Sequence, residues 1–234
     1  SLAKSVVRGR PNILTGTLQL TPDLDWWENL GSIRRGVVRA CVHLATANVG
    51  ICDVEMNYLR ELGGKNLYRV YQGIDTALYR PPMAKGPTKT IITVSHLTRA
   101  NAHRKRLGTV VRAVPQVLAR HPDARFVIIG EHGDAYPDLV AMAHGLGVQH
   151  AVAFPGRLST ADKVAAYQRA ALLAQATIYE GFGVSIAEAM ACGLPVVTSP
   201  RGAVVEVVGA HRVRVEVDAA EVDDPGELGS VAHD

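Results

Sequence analysis

Between residues 90 and 199, short apolar runs alternate with stretches in which apolar residues recur at helical spacing. The helical spacing is clearest after Leu107, where Val110, Val111 and Val114 follow at the third, fourth and seventh positions. Because the short runs are apolar throughout, they indicate strands covered on both faces, and their alternation with helices predicts an α/β fold with a doubly wound parallel sheet. The predicted strands are TIITVS (90–95), RFVIIG (125–130), AVAFPG (151–156), LLAQATIY (172–179) and LPVVTS (194–199).

Two helices between these runs have recognisable starts. In TADKVAAYQRA the first residue, Thr160, is expected to be the N-cap, since a hydroxyl can accept a hydrogen bond from the first turn. The helix SIAEAMAC begins at Ser185, three residues before Glu188, and this spacing fits a capping box in which Ser185 is the N-cap. Local helix chemistry is therefore one explanation for Glu188.

The first 72 residues have a less regular pattern. The runs NVGIC and LYRVY predict short strands on either side of the helix VEMNYLREL, which Asp53 is expected to cap and Gly63 and Gly64 to end. The later stretch PPMAKGPTK has the proline and glycine content of a linker. We predict three parts of the chain: an incomplete N-terminal region (1–72), a linker (73–88) and a Rossmann-like domain (89–234).

Charge and cysteine content exclude some classes of protein. The chain has 25 basic and 22 acidic residues and a net charge of +3, which does not call for a nucleic-acid partner. The basic stretch RANAHRKR (99–106) is typical of a solvated helix start, and aromatic residues, at 5%, are too few for a base-stacking platform. Cys41, Cys52 and Cys192 form no C-x-x-C pair, which indicates reduced thiols. No apolar run approaches the roughly 20 residues of a transmembrane helix, and we expect a cytoplasmic protein.

The densest candidate for chemistry is YEGFGVSIAEAMACGLPVVTS (179–199). Gly181 and Gly183 lie between a predicted strand and a predicted helix, where glycine lets the backbone approach a ligand and the helix N-terminus favours a phosphate. Glu180 beside this turn could accept hydrogen bonds from hydroxyl groups. Ile186 stands where a dinucleotide-binding fingerprint would have its third glycine, so a nicotinamide cofactor is disfavoured.

The string EGFGVSIAEAMACGLPVV closely resembles the E-x7-E motif of retaining glycosyltransferases of the GT-B fold, family GT4. Three further segments resemble that family in the expected order: GIDTALYRP (73–81), FVIIGEHGD (126–134) and FPGRLSTADKVAAYQRA (154–170). The resemblance covers roughly residues 35–210. It implies that residues 89–234 are the domain that binds a nucleotide-sugar donor, and that residues 1–72 are part of an acceptor-side domain.

The resemblance also implies roles for individual residues. Glu180 would lie against the transferred sugar, and Glu188 would bind ribose hydroxyls of the nucleotide. The turn around Arg157 and Leu158 would meet the nucleobase, and Gly130 would belong to the glycine turn after the second strand of the donor domain. The backbone of the motif turn would meet the diphosphate or the sugar through Gly181, Phe182, Gly183, Val184 and Ser185.

Family members carry an arginine and a lysine that neutralise the diphosphate leaving group. Lys105 matches the lysine, because it stands just before the helix that starts at Leu107. The usual Gly-Arg-Leu is replaced by Ser95-His96-Leu97, and His96 is a poorer permanent cation than arginine. Arg99 is a candidate substitute for the missing arginine, the alternative being that it is simply exposed to solvent.

Two hypotheses for function remain open at this point. The first is a retaining glycosyltransferase that moves a sugar from a UDP- or GDP-linked donor to an unknown acceptor, with no metal and no cofactor required. The second is a nucleotide-sugar-binding domain that is inactive alone and needs a partner domain, a partner chain or a second copy to complete the cleft. The incomplete N-terminal region motivates the second hypothesis.

Overall fold

The computed structural model describes residues 12–15, 31–84 and 86–209. Its first part is a three-stranded parallel sheet with strand order β1-β2-β3 and two helices. The cysteines of the described residues are free thiols. The elements of this part are β1 (Ile13–Thr15), α1 (Ser32–Leu44), β2 (Ala47–Gly50), α2 (Asp53–Glu61) and β3 (Leu67–Arg69).

The second part is a five-stranded sheet in which every neighbouring pair is parallel. Its strand order is β6-β5-β4-β7-β8, so the first strand of this part is central and the chain winds outward in both directions. This order is the mark of a doubly wound sheet. The strands are β4 (Thr90–Val94), β5 (Arg125–Ile129), β6 (Val152–Gly156), β7 (Leu172–Gln175) and β8 (Val196–Thr198).

Helices cover both faces of this sheet. Phe126 and Ile128 of β5 pack into one core with two helices, whereas Ile129 packs into a second core on the other face. Burying a residue such as Ile128 contributes about 1.5–3 kcal/mol, so the two cores account for the apolar character of the inner strands. The helices are α3 (Arg99–Arg104), α4 (Leu107–Arg120), α5 (Tyr136–Gly145), α6 (Thr160–Arg169), α7 (Val184–Ala191) and α8 (Val204–Val208), with α4 and α5 in the first core and α6 and α7 in the second.

The edge strand β6 departs from the sequence prediction. It alternates between half-buried and exposed positions, with Ala153 and Pro155 exposed, although its sequence is apolar throughout. The reason is that an edge strand has one neighbour, β5, and a proline is tolerated where no partner needs its N–H.

Two helix N-caps lie one residue before their predicted positions. The N-cap of α2 is Cys52, not Asp53: the Cys52 Sγ accepts a hydrogen bond from the Glu55 N–H at 3.4 Å. The N-cap of α6 is Ser159, not Thr160, because the Ser159 hydroxyl accepts the Asp162 N–H at 3.1 Å. Each true cap has extended backbone angles, which put its side chain over the first turn.

The predicted glycine end of α2 is confirmed. Gly63 has φ +80°, and the Gly64 N–H donates to the Leu59 carbonyl at 2.8 Å, which closes the last turn. The strand predicted over 172–179 is shorter than expected, because β7 ends at Gln175 and the chain then turns toward the site described below.

The two parts of the chain touch beside the glycine-rich motif. The Glu206 Oε1 of α8 accepts the Asp53 N–H at the start of α2 at 2.8 Å. The rings of Tyr71 and Phe182 lie 6.3 Å apart between centroids. The boundaries at residues 72 and 88 stay a prediction, and the two sheets lie on either side of them.

Glu55 of α2 gives a prediction for stability against pH. Its side chain is buried, with Oε2 accepting the Ile51 N–H at 2.9 Å, and burial raises the pKa of the carboxyl above its ordinary value. The folded protein therefore holds this proton more tightly than the unfolded chain. Its stability falls as pH rises from the unfolded pKa of about 4.3 through the higher folded pKa.

We expect Glu55→Gln to be more stable than the unsubstituted chain near pH 7, with a difference that shrinks toward pH 4. Urea unfolding at a series of pH values measures the difference, and Glu61→Gln on the exposed side of the same helix is the control. A pH-independent difference would contradict the assignment.

Candidate active site

The site lies where the central strands β4 and β7 end. The chain leaves β4 toward β5 on one side of the sheet and leaves β7 toward β8 on the other. Crevices at such a switch point, outside the carboxyl ends of parallel strands, are where doubly wound folds bind ligands. The segments that follow the two strands meet here: the Ile178 N–H and the Thr177 hydroxyl donate to the Arg104 carbonyl, at 2.7 and 3.3 Å.

A buried cluster of two cations and one carboxylate forms the centre of the site. The Lys105 Nζ lies 2.9 Å from the Glu180 Oε1, and an Arg104 guanidinium nitrogen lies 3.2 Å from the Glu180 Oε2. The side chains of Lys105 and Glu180 are 11% and 5% exposed, so the pair is held away from water. Burial lowers the pKa of Lys105, and the negative charge of Glu180 opposes that effect.

Arg104 is fixed by three contacts. Its guanidinium donates to the Tyr179 carbonyl at 3.0 Å and to the Asn101 side chain at 3.1 Å, besides its contact with Glu180. The sequence pattern does not distinguish Arg104, because it stands inside the basic stretch 99–106, which is typical of a solvated helix start. The sequence signal for Arg104 is its place directly before Lys105, at the end of the short helix α3 (Arg99–Arg104).

The glycine turn begins helix α7 earlier than predicted. Gly183 has φ +87° and is the N-cap, and its carbonyl accepts the N–H groups of Ile186 and Ala187 at 2.9 and 3.0 Å. The capping box with Ser185 as N-cap is therefore wrong, since Ser185 lies inside the helix. The first-turn N–H groups of Val184 and Ser185 belong to the helix end that carries a partial positive charge.

Glu188 contacts side chains of the neighbouring helix α6. Its Oε1 lies 2.8 Å from the Lys163 Nζ, and its Oε2 accepts the Tyr167 hydroxyl at 2.9 Å. Glu188 is 6% exposed and Tyr167 is fully buried. The two motif carboxylates thus have separate partners. Glu180 pairs with the cations that follow β4, whereas Glu188 contacts side chains of helix α6.

The other predicted cations pair with different carboxylates. An Arg99 guanidinium nitrogen lies 3.2 Å from Asp138, and the His96 Nδ1 lies 3.7 Å from Glu131. The side chains of Arg99 and His96 are 58% and 63% exposed. The structure therefore brings Lys105 and Glu180 together, but it does not bring Arg99 or His96 to Glu180.

The remaining predicted residues lie in the motif turn and just after the edge strand β6. Phe182 is buried and touches Tyr71, and Val184 is 41% exposed at the start of α7. Arg157 is exposed just after β6, while Leu158 packs against the second core. Gly181 is buried within the motif turn.

Gly130 follows β5 and is required by its neighbours. A Cβ at this position would lie 1.8 Å from the Ser95 carbonyl oxygen, and real Cβ contacts do not come that close. The Ser95 N–H donates to the Ile129 carbonyl at 2.9 Å, so the chain that leaves β4 is pressed against the end of β5. Because Gly130 has no side chain, the chain that leaves β4 can pack directly against the end of β5.

Within the described ranges 12–15, 31–84 and 86–209, no group of three or more His, Cys, Asp and Glu residues is arranged to hold a metal ion. No helix in that same part of the chain is long and apolar enough to cross a bilayer.

The family model described as Glycosyl transferases group 1 matches residues 79–225. The chain belongs to this family. The match takes in the whole five-stranded sheet, the ion cluster around Glu180 and the helix that carries Glu188.

Two relatives illustrate the range of similarity in sequence. An uncharacterized glycosyltransferase of Methanocaldococcus jannaschii is 36% identical over 120 residues, which are 51% of this chain and 29% of that protein. A GDP-mannose-dependent alpha-(1-6)-phosphatidylinositol monomannoside mannosyltransferase of Mycobacterium tuberculosis is 30% identical over 168 residues, covering 64% of this chain and 42% of the relative. The chain spans less than half the length of these curated relatives.

Among solved structures, Anabaena HepE in complex with UDP and glucose superposes with a TM-score of 0.72 at 20% sequence identity. The superposition covers 88% of this chain and 57% of HepE. Similarity at this identity concerns the fold. It confirms the prediction of a Rossmann-like, doubly wound α/β domain of the GT-B glycosyltransferases.

Proposed function

We propose that this chain is the donor-binding part of a retaining glycosyltransferase that transfers a sugar from a nucleoside diphosphate sugar to an unknown acceptor. The observation that carries the proposal is the buried Lys105–Glu180 pair at the switch point of a sheet of this family. The cluster carries one more positive than negative charge, and desolvating charged groups is costly, so a further anion would offset the excess positive charge.

The chemistry follows from the charge that develops when the sugar–phosphate bond breaks. Negative charge then accumulates on the leaving diphosphate, and fixed cations close to it lower the barrier. Lys105 and Arg104 would supply that charge, together with the N-terminal turn of α7 after Gly183. Glu180 would hold the two cations in place before the donor arrives and would contact the transferred sugar afterwards.

The rest of the donor would extend away from Glu180 along the carboxyl edge of the sheet. Glu188 would accept the ribose hydroxyls, and Arg157 and Leu158 would lie beside the base. A relative named for GDP-mannose and a structural neighbour with bound UDP support a donor of the GDP- or UDP-linked class. The backbone of residues 181–185 and the turn at Gly130 would line the space between.

Arg99 and His96 stay predicted donor contacts, but each would first have to leave its present carboxylate. Arg99 would leave Asp138 and His96 would leave Glu131. Because Arg104 already forms an ion pair with Glu180, we propose Arg104 as the cation that takes the place of the family's arginine. The location in the cytoplasm stays a prediction from sequence.

A chain that binds a nucleotide sugar without turnover is the second candidate function. It is favoured by the length of the relatives, of which this chain spans less than half. In that case a partner domain, a partner chain or a second copy would complete the cleft over Glu180. Turnover of UDP- or GDP-sugars by the chain alone would exclude this candidate, and donor binding without turnover would support it.

The test of donor binding compares nucleoside diphosphates with nucleosides. We expect Lys105→Ala to weaken calorimetric affinity for GDP or UDP by about 1.5–3 kcal/mol, the range for hydrogen bonds to charged groups. Affinity for guanosine or uridine is expected to stay unchanged, because the nucleoside has no phosphate for Lys105 to contact.

Lys89→Ala is the matched control, since Lys89 is also ion-paired, with Asp123 at 2.6 Å, but at the opposite end of β4. Equal losses for diphosphate and nucleoside in folded Lys105→Ala would remove the phosphate assignment. If the unsubstituted chain binds none of the four ligands, the proposed function fails.

A further inference from the structure

We infer that Lys163 and Tyr167 of helix α6 are positioning residues that fix the Glu188 carboxylate for two adjacent hydroxyl groups of the nucleotide. The inference rests on the proposed function, in which Glu188 accepts the ribose hydroxyls. It adds that Lys163 and Tyr167 make this carboxylate selective for a ribose over a sugar that lacks those hydroxyls.

The contacts divide the two oxygens of Glu188 between two donors. The Lys163 Nζ lies 2.8 Å from Oε1, and the Tyr167 hydroxyl donates to Oε2 at 2.9 Å. Lys163 and Tyr167 are four positions apart on one helix, so their side chains lie on the same face one turn from each other. With one donor on each oxygen, the carboxylate cannot rotate without losing both bonds.

The carboxylate keeps capacity for a ligand in this arrangement. An ionised carboxylate has about four lone-pair sites, and the two donors from α6 occupy two of them. The Tyr79 hydroxyl is a further hydrogen-bond partner of Glu188, so two adjacent hydroxyl groups of a ligand would share the remaining sites with it. A carboxylate free to rotate would present these sites for only part of the time.

The surroundings keep both donors in the required protonation state. Burial lowers the pKa of Lys163, but its hydrogen bonds with Glu188 and Tyr79 outweigh burial, so the pKa lies above its ordinary value. Burial, reinforced by the charge of Glu188, raises the pKa of the Tyr167 hydroxyl well above its ordinary range. Lys163 is thus charged and Tyr167 is a neutral donor over the whole physiological range.

Aromatic packing holds the two donors in place. The Tyr79 and Tyr167 rings meet edge to face with centroids 6.3 Å apart, and the Lys163 Nζ lies 5.4 Å from the centre of the Tyr79 ring. Tyr79 comes from the connection between the two sheets and is buried. The Lys163 side chain is 26% exposed and would otherwise extend into water, where an ammonium is better solvated.

A structural ion pair between α6 and α7 is the competing explanation, and ligands with and without ribose hydroxyls separate the two. Calorimetry measures the affinities of GDP and UDP and of their 2′,3′-dideoxy analogues. We expect Lys163→Met to weaken binding of the ribonucleotides at least tenfold and to leave binding of the dideoxy analogues within twofold. Tyr167→Phe, which keeps the ring and its packing, is expected to act in the same direction.

Three further variants sharpen the result. Lys163→Arg is expected to restore most of the ribonucleotide affinity, because it retains a cation that can reach Glu188. In a Glu188→Ala background, Lys163→Met is expected to have no further effect on ribonucleotide binding. Lys89→Met removes an exposed ion-paired lysine at the far end of β4 and is expected to change neither affinity.

Equal losses for ribonucleotides and dideoxy analogues, in Lys163→Met and in Tyr167→Phe alike, would overturn the inference and leave a purely structural pair. The proposed function would survive that result, because the unsubstituted chain would still bind the diphosphates. If the unsubstituted chain binds neither GDP nor UDP, the proposed function and this inference are both overturned.

Discussion

Replacing Glu180 by alanine is expected to lower the free energy of unfolding by about 3–5 kcal/mol, the cost of leaving a buried charge without its partner. Lys105 is 11% exposed and would keep its ammonium in the interior, without the carboxylate that pairs with it among the described residues. Arg104 would retain its bonds to the Tyr179 carbonyl and the Asn101 side chain, so most of the loss falls on Lys105. Urea unfolding measures the change.

A double-mutant cycle separates this charge effect from a packing defect. Lys105→Met in the Glu180→Ala background removes the uncompensated charge, and we expect it to recover a large part of the lost stability. The same cycle on Lys89 and Asp123, whose side chains are 50% and 67% exposed, is expected to give a coupling of about 0–1 kcal/mol. Additive losses for Glu180 and Lys105 would show that the pair is not coupled.

Gly130→Ala is expected to cost about 3 kcal/mol or more, or to prevent folding. The new methyl group would lie 1.8 Å from the Ser95 carbonyl oxygen, and that oxygen belongs to the backbone, which cannot rotate away as a flexible side chain would. The end of β5 would have to separate from the chain that leaves β4, and with it the Ser95 bond to the Ile129 carbonyl. Thermal unfolding and the yield of folded protein measure the effect.

Gly36→Ala is the matched control for this substitution. Gly36 lies inside helix α1, and a Cβ there would meet nothing within 4 Å. We expect this variant to be more stable by about 0.5–1 kcal/mol, the difference in helix propensity between glycine and alanine. A Gly130→Ala variant as stable as the unsubstituted chain would show that the two strand ends separate easily.

The order and type of the elements after residue 89 could be predicted because burial on both faces leaves a clear mark in the sequence. Ile92 and Leu173 of the inner strands are buried. The edge strand β6 has exposed positions, although its residues are apolar. Pro155 is the residue that indicates an edge strand. A proline has no N–H to donate to a second neighbouring strand, as a residue in a central strand would need to. Helix starts were missed by one residue where two candidate caps adjoin, as at Ser159 and Thr160.

The candidate site was predicted only in part, because spacing along the chain does not determine how helices are rotated against each other. Glu180, Glu188 and Lys105 are predicted site residues because they stand in or match a dense motif that resembles a family. The partners Arg104 and Lys163 were not, because each lies in a helix whose charged positions look alike until its packing is known. Whether Arg104 or Arg99 meets Glu180 depends on how the short helix α3 sits on the sheet.

The position of Glu180 has a consequence for how the protein is made. Arg104 and Glu180 are 76 positions apart in the chain, and Glu180 follows the fourth strand of its sheet. During translation β4, β5 and β6 can pair while residues after 170 are still in the ribosome, because N-terminal segments fold first. Lys105 then keeps its ammonium in water until β7 emerges and delivers the carboxylate. The nascent chain therefore forms the Lys105–Glu180 ion pair only after most of the sheet has already formed.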